Sequence, residues 1–369
     1  MIKVLYIIST LKKTGPVNVI YNIIKNLDRT KYEPVILTLS KEPSGSIKSD
    51  FEKLGIKCHC LNVSGLKGYF EAGKIKKVVK EITPDIIHTH CFRSTLFTAI
   101  YLRKMNTITT IHCDYDVDFR MTYGNFIGFL IARLMDFSLI NMNRRIACSE
   151  YLSQIINNKK IFKVDYINNG IDIEIFHSIE NKETLKEKLK LPRNKKIFIW
   201  VGCLTERKNP LLLANVIKEF YLTLTDCYFV FCGDGPLKQE LENTISNFDN
   251  VLLTGNIDNI QEYLQASDYY ISTSLSEGLP LSVLEGMACG LPVILSNIEQ
   301  HKILFKDNMG KCFNLQDDNE LLNNLINIQK ENYENLSIKS RNVVEKLFSA
   351  VNMSINYQKN YKDIYELKN

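Results

Sequence analysis

At 369 residues the chain is longer than one hydrophobic core usually supports, so we predict two domains. Its 45% hydrophobic and 24% charged residues are typical of a soluble globular protein and exclude a disordered or collagen-like chain. The net charge of +5 is unevenly divided, because residues 1–178 carry 25 basic and 16 acidic side chains, and residues 179–369 carry 21 and 25. The basic first half indicates an anionic partner, such as a membrane surface or a lipid diphosphate; a lysine-rich solvated face explains the charge equally well.

We expect neither a secretory signal nor a membrane span. The N-terminal residues enter a short apolar run at once, and the most apolar long stretch, residues 126–140, contains Arg133 and Asp136. The ten cysteines lie singly apart from Cys58 and Cys60, which indicates free thiols rather than disulfides. We therefore expect a cytoplasmic protein, with weak peripheral attachment to the inner face of the cell membrane through its basic half.

Strands and helices alternate through the first half in the way that specifies a parallel sheet with crossover helices. Helices are predicted between the strands, among them a long apolar one at residues 123–142. Gly15 lies in the loop after the first strand, where a missing side chain would let the backbone approach a phosphate; an ordinary turn glycine is the alternative. Apolar runs predict the strands at residues 4–8, 34–39, 56–61, 85–88, 107–111, 145–148 and 164–167.

The same pattern starts again after a polar segment, with strands predicted at residues 197–201, 228–232, 251–254, 269–272 and 293–295. Two doubly wound sheets in tandem place their ligand crevices at the carboxyl ends of the strands, and facing each other they would make one deep cleft. We predict a first domain at residues 1–178 and a second at residues 179–351. A last helix at residues 352–369 carries Tyr357, Tyr361 and Tyr365 on one face, which we expect to pack back on the first domain.

The most informative stretch is residues 271–296. A buried strand leads into a loop that holds Glu277, and Pro280 then opens a helix whose free amides, at residues 279–283, present the positive end of the helix dipole. Glu285 follows one turn inside this helix. An anion site beside two carboxylates suits a phosphate flanked by hydroxyl-rich groups, which describes a nucleotide sugar; two surface glutamates at an ordinary strand-to-helix junction are the alternative.

Cationic and imidazole side chains stand at other strand ends. Arg207 and Lys208 lie between a strand and a helix, where two cations would face a diphosphate; an exposed basic pair is the alternative. His88, His90 and His112 lie at the ends of adjacent strands. Because no carboxylate motif accompanies these histidines, we expect no metal site there.

The order and spacing of these motifs resemble those of the family 4 (group 1) retaining glycosyltransferases, of the bacterial surface-polysaccharide type. Glu277 and Glu285 are similar to the family's two glutamates separated by seven residues. The segment from Gly202 to Lys208 is similar to the family's Gly-Arg-Leu-x-x-x-Lys pattern, with Cys203 in place of the arginine. The matches run through most of the chain in the family's order.

The resemblance implies the GT-B fold, in which two Rossmann-like domains face each other across a deep cleft. It also implies a metal-independent enzyme without a cofactor, acting as a hexosyltransferase or N-acetylhexosaminyltransferase. The donor would be a nucleoside-diphosphate sugar bound by the second domain, by family habit a UDP-sugar. The acceptor would be a lipid-linked or surface-glycan intermediate on the side of the first domain, and no nucleic acid is expected as a partner.

The family's roles imply catalytic and binding residues. Lys208 and Arg207 would hold the diphosphate, Glu277 would bind the donor sugar hydroxyls, and Glu285 would bind the ribose. His112 would contact the donor sugar from the first domain. The other expected site residues are Gly15, Gly202, Gly278, Leu279, Pro280, Leu281 and Ser282 at the donor, and Asp114 and Asp116 at the acceptor hydroxyls.

The same pattern leaves three rival functions. A sugar-nucleotide epimerase of the same fold would turn over a nucleotide sugar without an acceptor and without releasing a nucleoside diphosphate. A non-catalytic sugar-nucleotide-binding protein is suggested by Cys203, because that loop lacks the family's arginine. A nicotinamide-dependent enzyme is disfavoured, since neither half carries the glycine fingerprint of a dinucleotide site.

Overall fold

The chain forms two units, which a computed structural model describes over residues 1–63, 72–305 and 307–367. Unit 1 comprises Met1–Gly170 and Ala350–Asn369, and unit 2 comprises Ile171–Ser349. The boundaries expected from sequence lay after residues 178 and 351. Residues 368 and 369 of the expected last helix lie outside the described residues.

Unit 1 is built on a sheet of parallel strands in the order β3-β2-β1-β4-β5-β6-β7. The strands are β1 Ile2–Ile8, β2 Tyr32–Thr38, β3 Lys57–Cys60, β4 Ile86–His90, β5 Asn106–Ile111, β6 Arg144–Ala147 and β7 Asp165–Tyr166. The helices between them are α1 Gly15–Lys25, α2 Lys48–Lys53, α3 Ala72–Ile82, α4 Phe92–Tyr101, α5 Tyr115–Tyr123, α6 Asn125–Ile140 and α7 Glu150–Lys159.

The long apolar helix expected at residues 123–142 differs from the one observed. Gly124 adopts a positive φ of 79°, which most side chains avoid, and it separates two helices that form a hairpin. The second helix, α6, begins at Asn125 and ends at Ile140, and the helix before it, α5, was not expected from the sequence.

Unit 2 is built on a second parallel sheet, in the order β10-β9-β8-β11-β12-β13. The strands are β8 Lys196–Val201, β9 Cys227–Cys232, β10 Val251–Gly255, β11 Tyr269–Ser272, β12 Val293–Ser296 and β13 Gly310–Phe313. The helices are α8 Glu183–Lys188, α9 Pro210–Glu219, α10 Lys238–Ile245, α11 Ile260–Ala266, α12 Leu281–Ala288, α13 Glu299–Lys302, α14 Asp318–Asn327 and α15 Tyr333–Leu347.

The two strand orders follow one rule. Each sheet grows outward in one direction from its first strand and then reverses, so a switch point lies between β1 and β4 in unit 1 and between β8 and β11 in unit 2. Ligands of such sheets bind outside the carboxyl ends of the strands at the switch point. The two parallel α/β sheets confirm the expected pair of Rossmann-like domains.

The last helix, α16 Ala350–Glu366, belongs to unit 1 and packs against α1 and β4. Of its three expected tyrosines, Tyr357 and Tyr361 are buried and hydrogen-bonded, and Tyr365 is half-buried. The Tyr361 hydroxyl lies 2.8 Å from His88 Nδ1 and 3.0 Å from the Tyr6 hydroxyl, and the Tyr357 hydroxyl lies 2.8 Å from Thr110 Oγ1. Among the described residues, no helix has both the length and the apolarity needed to cross a membrane.

Candidate active site

The loops that follow β8 and β11 are joined to each other at the switch point of unit 2. The Leu275 amide donates to the Arg207 carbonyl at 2.8 Å. The buried Thr273 hydroxyl lies within hydrogen-bonding distance of two carbonyls, those of Asn209 at 2.7 Å and Lys208 at 3.1 Å. Because these bonds hold one backbone to the other, the side chains at the ends of the two loops have defined relative positions.

Three of the expected site residues form an ion cluster between these loops, with a buried carboxylate and two half-buried cations. Glu277 Oε1 accepts from Lys208 Nζ at 2.5 Å, and Glu277 Oε2 accepts from Arg207 Nη1 at 3.1 Å. The Ser274 hydroxyl donates to the same Oε1 at 2.7 Å, and Arg207 also donates to the Ser276 carbonyl at 2.9 Å. Two cations thus share one carboxylate, and the cluster keeps one net positive charge.

The electrostatics of the cluster keep Glu277 ionised. Burial alone would raise the pKa of Glu277, but the charges of Lys208 and Arg207, with the hydrogen bonds from Lys208 and Ser274, outweigh burial and lower this pKa to about 2. The carboxylate is 7% exposed, so water contributes little to its solvation. At neutral pH Glu277 therefore accepts hydrogen bonds and does not donate them.

Glycines let a third loop, between β9 and α10, approach the first. A Cβ on Gly233 would lie 1.8 Å from the Gly202 carbonyl oxygen, and a Cβ on Gly235 would lie 2.6 Å from the Leu204 carbonyl oxygen. Backbone cannot yield at such distances, so only glycine fits at either position. Both glycines thus press against the loop that carries Arg207 and Lys208.

The helix that follows Glu277 begins slightly later than expected. Pro280 is the residue before the helix, with φ −79° and ψ 88°, and α12 begins at Leu281. The Val283 amide donates to the Pro280 carbonyl at 3.1 Å. This bond corrects the expected set of free amides, because Val283 is already engaged within the first turn.

Close packing fixes the helix on its sheet. A Cβ on Gly286 would lie 2.4 Å from the ring of Tyr270, a buried residue of β11. The absent side chain lets α12 lie directly on that ring. Glu285, the neighbouring residue, is half-buried and is thereby held one turn inside the helix, where the sequence placed it.

Sequence reasoning missed the residues that support Glu277 from behind. His301 is fully buried, with Nδ1 3.0 Å from the Ser296 carbonyl oxygen and Nε2 3.4 Å from the Ser272 hydroxyl. The Ser296 hydroxyl donates to the Ser274 carbonyl at 2.7 Å, and Ser274 in turn donates to Glu277. Burial lowers the pKa of His301 to about 4, so the imidazole is neutral at pH 7 and serves as a hydrogen-bonding support.

The histidines of unit 1 form a neutral group at the ends of β4 and β5. His90 Nδ1 lies 3.0 Å from His112 Nε2, and His88 bonds to Tyr361 and Thr110 at 2.8 Å. Burial lowers the pKa of His112 to about 4 and the pKa values of His88 and His90 well below their usual range. In the described part of the chain, no group of three or more His, Cys, Asp or Glu residues is arranged to hold a metal ion.

The remaining expected residues of unit 1 lie at helix starts. Gly15 is exposed and is the first residue of α1. Asp114 pairs with Lys159 at 2.9 Å, and Asp116 pairs with Lys160 at 2.6 Å and with Arg133. Both carboxylates are thus paired with side chains of α6 and of the α7 region, and their expected contact with acceptor hydroxyls stays a prediction.

Comparisons with known proteins identify the family. Residues 14–175 match the model of Glycosyltransferase Family 4, and residues 181–343 match that of glycosyl transferases group 1. The UDP-Gal:alpha-D-GlcNAc-diphosphoundecaprenol alpha-1,3-galactosyltransferase of Escherichia coli is 30% identical over 318 residues, covering 83% of this chain and 81% of that protein. The chain belongs to the group 1 glycosyltransferases. The family expected from the sequence is therefore confirmed.

Other relatives of this glycosyltransferase match it along nearly its full length. The O-antigen biosynthesis glycosyltransferase WclY of Escherichia coli is 28% identical over 373 residues, covering 98% of this chain and 99% of that protein. The solved structure of sucrose-phosphate synthase from Thermosynechococcus elongatus has a TM-score of 0.84 at 17% identity, covering 100% of both chains. That structural likeness confirms the GT-B fold.

The ionised Glu277 should contribute to the free energy of unfolding of the glycosyltransferase at neutral pH, and this contribution should be lost in acid. Its pKa of about 2 lies below the ordinary value of 4.5, so its stabilising effect is complete above about pH 4.5 and is lost as the pH falls towards 2. Glu277→Gln removes the charge at nearly constant shape. We expect this variant to be destabilised at pH 7 on the order of 3 kcal/mol, the linkage equivalent of the pKa difference, and to approach the native protein near pH 2.

Calorimetric melting at a series of pH values measures this difference. The matched control is Glu299→Gln, which removes an exposed carboxylate paired with Lys302 on the surface and should have little effect. An equal melting temperature for Glu277→Gln and the native protein at pH 7 would contradict the proposed energetics of the cluster.

Proposed function

We propose that the protein is a retaining glycosyltransferase that moves a hexose or N-acetylhexosamine from a UDP-sugar to a lipid-linked or surface-glycan acceptor. The observation that carries the proposal is the cluster of Glu277, Lys208 and Arg207 at the switch point of unit 2. A diphosphate needs fixed cations, and this cluster offers two cations with only one carboxylate between them. It stands where open α/β sheets bind their ligands.

The relatives support the choice of substrates. The galactosyltransferase named above uses UDP-Gal and a sugar-diphosphoundecaprenol acceptor, and it forms an alpha-1,3 linkage. The O-antigen relative supports a role in surface-polysaccharide assembly. For this chain we therefore propose a UDP-sugar donor and an acceptor carried on a lipid diphosphate, which would bring the enzyme to the inner membrane face.

The geometry of Glu277 supports a double role. An ionised carboxylate offers about four lone-pair positions, and Lys208, Ser274 and Arg207 occupy three of them. Oε2, which accepts only from Arg207 among these three, keeps a position for a sugar hydroxyl. Glu277 would thus position both cations for the diphosphate and bind the donor sugar.

The other roles are assigned in the same way. Glu285 would accept from the ribose hydroxyls, and the first amides of α12 would face the leaving phosphate, together with the loop at Gly202. His112 would serve the donor sugar as a neutral hydrogen-bonding group, which its lowered pKa favours. No divalent ion is then required, because Lys208, Arg207 and the helix N-terminus supply the positive charge.

These roles lead to a front-face mechanism. The acceptor oxygen would form its bond to the anomeric carbon on the face from which the diphosphate leaves, as the bond from that carbon to the phosphate oxygen breaks. The acceptor proton would pass to the departing β-phosphate, whose negative charge Lys208 and Arg207 stabilise. Glu277 is held by its partners and fully ionised, so its part is to bind and orient rather than to donate a proton.

Chelation tests metal independence. With excess EDTA, transfer of sugar from a UDP-sugar to a lipid-diphosphate-linked monosaccharide should continue at an essentially unchanged rate, because fixed cations replace the divalent ion. The measurement is the rate of UDP release with acceptor present, and the control is the same assay with manganese or magnesium added. Activity that strictly requires an added divalent ion would contradict the proposal.

The configuration of the product tests the mechanism. An α-linked nucleotide sugar should yield an α-linked product, because attack occurs on the face that the leaving group vacates. NMR of the purified product measures the anomeric coupling, and a β-linked product would overturn the mechanism. Turnover of the donor without acceptor and without UDP release would indicate an epimerase, and tight donor binding without transfer to any acceptor would indicate a binding protein.

Substitutions separate transition-state stabilisation from donor binding. Lys208→Ala should lower kcat by roughly two to three orders of magnitude, the usual cost of losing one preorganised contact to developing charge. Glu285→Ala should act mainly by raising the donor KM, because ribose hydroxyls change little in the transition state. Both constants are measured under saturating acceptor.

Controls separate chemistry from folding. Lys218→Ala removes an exposed lysine of the neighbouring α9 and should leave both constants unchanged. Calorimetric binding of UDP to each variant reports whether unit 2 keeps its site. Undiminished turnover of Lys208→Ala at saturating donor would refute the assigned role.

A further inference from the structure

The hairpin of α5 and α6 exposes large apolar side chains along its outer surface. On α6 these residues are Phe126, Ile127, Phe129, Leu130, Leu134 and Phe137. Phe126 is 74% exposed, although the ordinary place of a phenylalanine is the core. Single exposed apolar residues are common, but a contiguous set on one element marks an interaction surface.

The buried face of α6 explains why large side chains lie on its exposed face. Of the five residues that α6 buries, Gly128, Ala132 and Ser138 are small, and Met135 and Leu139 are large. A Cβ on Gly128 would lie 2.4 Å from the carbonyl oxygen of Phe119 on α5, so only glycine permits the close approach of the two helices. α6 therefore approaches α5 closely at Gly128 and turns most of its large side chains outward.

The outer surface of α6 is broad and runs along the whole helix. At 3.6 residues per turn, the exposed apolar positions cover an arc of roughly 160° around the helix axis. Phe129 lies at one edge of this arc and Ile127 at the other. The 16 residues of α6 correspond to a length of about 24 Å. A partner helix would cover only a narrow strip of a surface this wide. Lipid acyl chains are fluid and can contact the whole convex surface, so the width favours a bilayer.

The hairpin carries both cationic and acidic side chains. Arg120 and Arg133 are exposed, with guanidinium groups 5.5 and 5.2 Å from the centre of the Phe129 ring, but Arg133 also pairs with two carboxylates of the hairpin. These carboxylates, Asp116 and Asp136, are half-buried and are also paired with Lys160, and Asp118 is half-buried on α5. An exposed arginine seated on an aromatic ring, as Arg120 is, suits the boundary between lipid headgroups and acyl chains.

A cationic cavity lies beside α4, the helix against which α6 packs. The cavity has a volume of about 650 Å³, and its charged lining consists of Lys76, Lys80, Arg103 and Lys104, with no carboxylate among the lining residues. The apolar ridge and this positive surface therefore both border α4 in unit 1.

We propose that the α5 and α6 hairpin inserts its apolar ridge into the headgroup and acyl boundary of an anionic phospholipid bilayer, lying in the plane of the membrane. Charge alone predicts a weak attachment that salt abolishes. Insertion of the ridge adds a contribution that salt does not remove, because burial of apolar surface is not screened. This inference does not depend on the donor chemistry proposed for unit 2.

Vesicle flotation of the full chain tests the proposal. The native protein should bind vesicles of phosphatidylcholine with 30% phosphatidylglycerol, prepared as a probe, and should retain a bound fraction in 1 M NaCl. The triple variant Phe126→Ser, Leu130→Ser, Phe137→Ser should lose at least about tenfold in partitioning, in both low and high salt. Calorimetric UDP binding, which would report the site proposed for unit 2, should be the same for the triple variant as for the native protein.

A matched control and a depth probe sharpen the test. Leu222→Ser with Ile338→Ser removes two apolar side chains of unit 2 that are 85% and 61% exposed, and it should not reduce flotation. The chain has one tryptophan, Trp200, which is buried, so Leu130→Trp adds a single reporter on the ridge. Its fluorescence should shift to shorter wavelength with vesicles and be quenched by brominated acyl chains.

Several outcomes would overturn the proposal. These are loss of all binding in 1 M NaCl, unchanged flotation of the triple variant, and fluorescence of the Leu130→Trp variant that brominated lipid does not quench. Native protein that sediments as a dimer which the triple variant abolishes, without binding vesicles, would assign the ridge to a second copy of the chain instead.

Discussion

The site of unit 2 depends on a single carboxylate held between two cations. Removing Glu277, Lys208 and Arg207 from water is costly, and their mutual attraction offsets this cost only if the geometry is tight and the remaining polar positions are filled. Ser274 fills one, and the serines and His301 behind it hold Ser274 in place. Gly233 and Gly235 also help to keep this geometry, because they let the backbone of the third loop pack against the loop that carries both cations.

The two units share the switch-point topology but differ in the charge of the side chains near it. In the loops that follow the strands of unit 2, the buried Glu277 is paired with the half-buried Lys208 and Arg207. At the corresponding ends in unit 1, His88, His90 and His112 are kept neutral by burial, and α16 completes the group with Tyr357 and Tyr361. A charged edge suits a diphosphate, whereas the fully buried His88, Tyr357 and Tyr361 join α16 to the sheet of unit 1.

Much of this arrangement follows from local sequence. The apolar runs predicted the strands of both sheets because buried parallel strands are apolar on both faces, and the junction at Glu277 predicted a carboxylate at a helix start. Strand order and long-range contacts do not follow from local pattern. Lys208 meets Glu277 across 69 residues of chain, and His301 supports the loop from a later helix. The helix α5 before Gly124 was missed because its sequence is polar, with Asp116, Asp118 and Arg120 among nine residues, and shows no clear apolar face.

α6 shows why the buried face of an apolar helix cannot be predicted from hydrophobicity alone. A helix that is apolar around most of its circumference has two faces that could pack, and the hydrophobic pattern does not choose between them. Residue size contributes to the choice, because helices approach closely only where side chains are small. Gly128 and Ala132 turn inward together with Met135 and Leu139, and Phe126 and Phe137 lie at the surface. The close approach of α6 to α5 at Gly128 thus leaves the large side chains of the opposite face exposed as the apolar ridge.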